Sequence, residues 1–137
     1  DETFVWHERR KVAHKAIERR EPGTLMSLLW RTQLAIWLIE QETPEDESVA
    51  IVASAIDTAQ GMVGPDDPFL HDLDLLRLMA HVKSARNERT WNEDPKVVGA
   101  LEAHVARLER ERPEAAMHLL AKKWRDLAMG KKSPDPG

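Results

Sequence analysis

Six of the eight prolines of this 137-residue chain fall between blocks in which apolar residues return every three or four positions, and the other two stand in the tail after the last block. That layout constrains the fold more than any other feature. A spacing of three and four places apolar side chains on one face of a helix, whereas a half-buried strand alternates with a period of two. No stretch of this chain alternates. Proline inside a helix removes a backbone hydrogen bond, yet it suits the first turn. The chain therefore reads as all-α: a single-domain bundle of five to six helices, mostly antiparallel neighbours, over residues 1–130, with a disordered tail at 131–137.

The first predicted helix runs from Thr3 to Glu21, with Val5, Trp6, Val12, Ala13, Ala16 and Ile17 on its apolar side and Pro22-Gly23 as its stop. Thr24 is placed to cap a second helix reaching about Gln41. Its interior is apolar nearly all round, which predicts a helix enclosed by neighbours. Thr43-Pro44-Glu45-Asp46 predicts the third start, with Val49, Val52, Ile56, Ala59 and Val63 as the seam. Asp67-Pro68 opens a fourth helix that continues to about Arg86. Asp94-Pro95 opens a fifth, with the seam Val98, Leu101, Val105 and Leu108. Pro113 begins a sixth helix or kinks the fifth; Met117, Leu120, Trp124 and Leu127 form its stripe, and Gly130 ends it.

Charge is unevenly spread. From Thr32 to Leu76 there is no Lys or Arg, but there are ten acids. The flanks are basic on balance: seven bases against five acids in residues 1–31, and thirteen against nine in residues 77–137. Many of the central acids stand at predicted helix starts, where the helix dipole favours them. The stretch reads as an acidic face that nucleic acid avoids, so phosphate contacts would have to come from the flanks. On the predicted first helix the candidates are Arg10, Lys11, Lys15 and Arg19. On the fifth they are Lys96, Arg107 and Arg110, and on the sixth Lys122, Lys123 and Arg125, with His118 on the same side.

Other chemistry finds little footing. The chain has no cysteine, which removes disulfides, zinc thiolates and thiol nucleophiles and fits a cytoplasmic setting. No two of its six histidines are three or four residues apart, so no helical metal pair forms. Glu42 and Glu45 flank Thr43-Pro44 and cannot share a helical face, and Asp72-x-Asp74 lacks the third ligand and the glycine of a calcium loop. No serine has the setting of a nucleophile. No run is long and apolar enough to span a membrane, and the opening residues carry no secretory signal.

Trp91 stands in the polar connection Asn87–Asp94, where an indole has little local cover; it is either a plug or a partner hot spot. Together these features predict a non-catalytic, all-helical adaptor or assembly subunit. It would bind protein partners, or a second copy of itself, through exposed seam residues and Trp91, without cofactor or metal. The alternative is a nucleic-acid-associated subunit of a ribonucleoprotein or DNA-binding complex, gripping phosphate backbone with the basic faces of helices one, five and six. A third reading is an enzyme with a divalent metal held near Glu40–Glu47.

Overall fold

The computed structural model describes residues 2–19, 21, 23–41, 47–88 and 92–130, and every regular element in them is a helix. The six are α1 (Glu2–Glu18), α2 (Leu25–Glu40), α3 (Ser48–Gln60), α4 (Pro68–Asn87), α5 (Pro95–Glu111) and α6 (Ala116–Ala128). The fold is all-α, as the apolar spacing predicts. The Thr43-Pro44-Glu45-Asp46 start, the Trp6 side chain, Trp91 and the 131–137 tail lie outside the described residues. The chain divides into two compact units, Asp1–Arg77 and Leu78–Gly137, and the boundary falls inside α4.

Local chemistry sets the helix ends. Thr24 Oγ1 accepts a hydrogen bond from the Ser27 amide at 3.2 Å and caps α2. Asp67 Oδ1 accepts from the Phe69 amide and Asp94 Oδ1 from the Lys96 amide, both at 2.9 Å, with Pro68 and Pro95 in the first turns that follow. Gly130 adopts φ +80°, a left-handed geometry that ends α6 without a side-chain clash. The sixth helix begins at Ala116 rather than Pro113, because Pro113 and Glu114 form a turn between α5 and α6.

In the first unit α1 packs on α2 and α2 on α3. Arg9, in the middle of α1, lies over the ring of Trp37, late in α2, and with only residues 19–24 joining them the two packed helices run antiparallel. Arg31 donates to Ser54 while Ile51 packs on the cluster of Ala13, Leu34 and Leu38, so α3 runs back along α2. Burying a side chain such as Leu34 contributes roughly 1.5–3 kcal/mol, and Leu34, Leu38 and Ile39 are all buried.

The second unit is built on the α5–α6 hairpin. Val98, Leu101, Val105 and Leu108 are buried as the sequence predicts. The facing stripe of α6 is His118, Ala121, Trp124 and Leu127, so the helix is turned slightly from the predicted Met117–Leu120 register. His118 is a correction: it is buried rather than part of a basic face. Its Nδ1–H donates to the Pro113 carbonyl at 2.9 Å, while Nε2 is buried with no hydrogen-bond partner among the described residues. Arg86 of α4 donates to the Leu127 carbonyl at 3.0 Å, near the end of α6, and the same oxygen accepts the Gly130 amide at 3.1 Å.

Candidate functional site

The ten predicted phosphate contacts divide between the units and differ in availability. Arg10 is turned inward: its Nε donates to Glu47 Oε1 at 2.6 Å, and His14 Nε2 lies 3.2 Å from the same oxygen. Burial pushes the Glu47 carboxyl up, but hydrogen bonds from Arg10 and His14 outweigh it and hold the group below its ordinary value. Glu47 thus ties α1 to the start of α3, and His14 serves this tie. Lys11 lies 3.6 Å from Glu8, while Lys15 and Arg19 are exposed.

In the second unit Lys96 and Arg110 are exposed on α5. Arg107 does not stand out opposite the seam as expected. Its side chain is mostly covered, donates to His104 Nδ1 at 3.1 Å and approaches Glu111 at 3.8 Å. Lys123 sits over the Trp124 ring at 5.8 Å, Arg125 Nε is 3.2 Å from Asp126, and Lys122 is half-buried. Of the ten, Arg10, Lys11, Arg107, Lys123 and Arg125 are engaged with their own surroundings, while Lys15, Arg19, Lys96 and Arg110 are exposed. Among the described residues no three or more His, Asp or Glu side chains gather as a metal site.

A different surface emerges on the outer side of α1 and α2. α2 was expected to be enclosed, yet Leu25, Met26 and Leu29 are exposed, Leu25 by 58%. The buried side of α2 takes Leu28, Leu34, Ala35, Leu38 and Ile39, and the opposite side is left to solvent. On α1 the row Val5, Arg9, Val12, Ala16 advances by four, three and four residues, which keeps it on one face. Arg19 extends the row, since its amide still bonds the Lys15 carbonyl at 3.1 Å.

The Arg9–Trp37 contact fixes where this row lies: beside the α2 row Met26, Trp30, Gln33, Trp37, which has the same spacing and runs the opposite way. Two antiparallel rows therefore open in the same direction. Of the large apolar side chains exposed among the described residues, Val5, Val12, Leu25, Met26 and Leu29 belong to this face. Only Val49, Met62 and Leu119 lie elsewhere, one to a helix or turn. A cluster of this kind is distinct from the scattered surface apolar residues of an ordinary monomer.

Sequence reasoning placed Val5 and Val12 with the core and missed the face. The signal was present in α2 itself: a helix apolar on all sides needs cover on all sides, and α1 and α3 cover only part of it. No protein-family model, curated protein or solved structure matches this chain. The site's own chemistry is therefore the ground for any functional reading.

Proposed function

We propose that this chain is a non-catalytic adaptor or assembly subunit that binds a protein partner through the outer face of α1 and α2. The observation that carries the reading is the concentration of exposed Val5, Val12, Leu25, Met26 and Leu29 on the outer side of α1 and α2. Half-buried Trp30 and Trp37 sit between them, and large aromatic side chains at the centre of a patch are the usual source of interface energy. A photo-reactive amino acid placed at Leu29 should give discrete protein adducts in the native host. The same group at Ala103, exposed on α5, should give none. Absence of adducts at Leu29, or the same adducts at both positions, would refute this reading.

A second reading rests on Lys11, Lys15 and Arg19, which recur at four-residue intervals on α1 and are exposed. Three phosphate contacts would give a log–log salt slope of roughly −2 to −3 for duplex or single-stranded oligonucleotides. A titration at two salt concentrations checks this. Binding that is absent at low salt, or unaffected by Lys11→Glu with Lys15→Glu, removes the nucleic-acid alternative for α1.

A further inference from the structure

We draw no further inference here: the strongest candidate, the exposed apolar face formed by Val5 and Val12 of α1 with Leu25, Met26 and Leu29 of α2, belongs to the site already described, and nothing in the structure shows what covers it.

Discussion

Leu101→Ala and Leu119→Ala delete the same atoms from adjacent helices of the second unit, yet their costs should differ severalfold. Leu101 is fully buried in the α5 seam, whereas Leu119 on α6 is 69% exposed. The substitution removes about three carbon groups, and at about 0.8 kcal/mol each the transfer loss at Leu101 is roughly 2.4 kcal/mol. The cavity left between α5 and α6 adds to this, since closed core sites lose roughly 2.7–5 kcal/mol on the same change. A loss of about 3 kcal/mol follows for Leu101. At Leu119 under a third of the surface is withdrawn from water, so the same arithmetic gives at most about 0.7 kcal/mol. Urea unfolding followed by far-UV circular dichroism measures both, provided the slope stays constant between variants. Both residues lie in one unit, so the comparison is internal. Equal losses, or a loss below about 1 kcal/mol at Leu101, would refute the assignment of the α5–α6 seam.

Three further outcomes are expected. Glu47→Gln should destabilise the chain at neutral pH. Because the folded carboxyl titrates below its ordinary value of 4.5, the wild-type advantage is complete above that value and fades as pH falls through the lower folded one; a gap in melting temperature that stays constant from neutrality down to about pH 3 contradicts the Arg10–Glu47–His14 tie. Asp94→Ala removes the oxygen that caps α5 and should cost about 1 kcal/mol, whereas Asp94→Asn should cost far less; equal losses on denaturant unfolding would speak against a capping role. Gly130→Ala forces a side chain into the left-handed region and should cost about 1 kcal/mol, measured as a fall in the same midpoint; a neutral or stabilising result would contradict the φ of +80°.

The helices were legible because their starts carry local chemistry. Asp67-Pro68 and Asp94-Pro95 cap and open α4 and α5 as read, and the Val98–Leu108 seam is buried as read. What escaped depends on partners distant in sequence. Nothing in residues 113–118 says that the Pro113 carbonyl will take the His118 proton, so the imidazole looked like part of a basic face. Arg10 looked solvated because its acceptor, Glu47, is more than thirty residues away. The open side of α2 escaped for the converse reason: periodicity tells which residues are apolar, not how many neighbours arrive to cover them.

Among its described side chains α1 buries only Ala13 completely; its other links to the first unit are half-covered residues and the Glu47 tie. Attachment of that kind among the described side chains predicts that α1 lifts away before the rest of the chain unfolds. Its amides should then exchange with solvent ahead of those of α2, whose Leu34, Leu38 and Ile39 are held in the core. One half of the proposed binding face is therefore removable. A partner that grips both helices closes the opening by mass action, and deuterium uptake in α1 should then slow far more than uptake in α2. Protection of α1 would thus record occupancy of the face even when the partner itself is invisible.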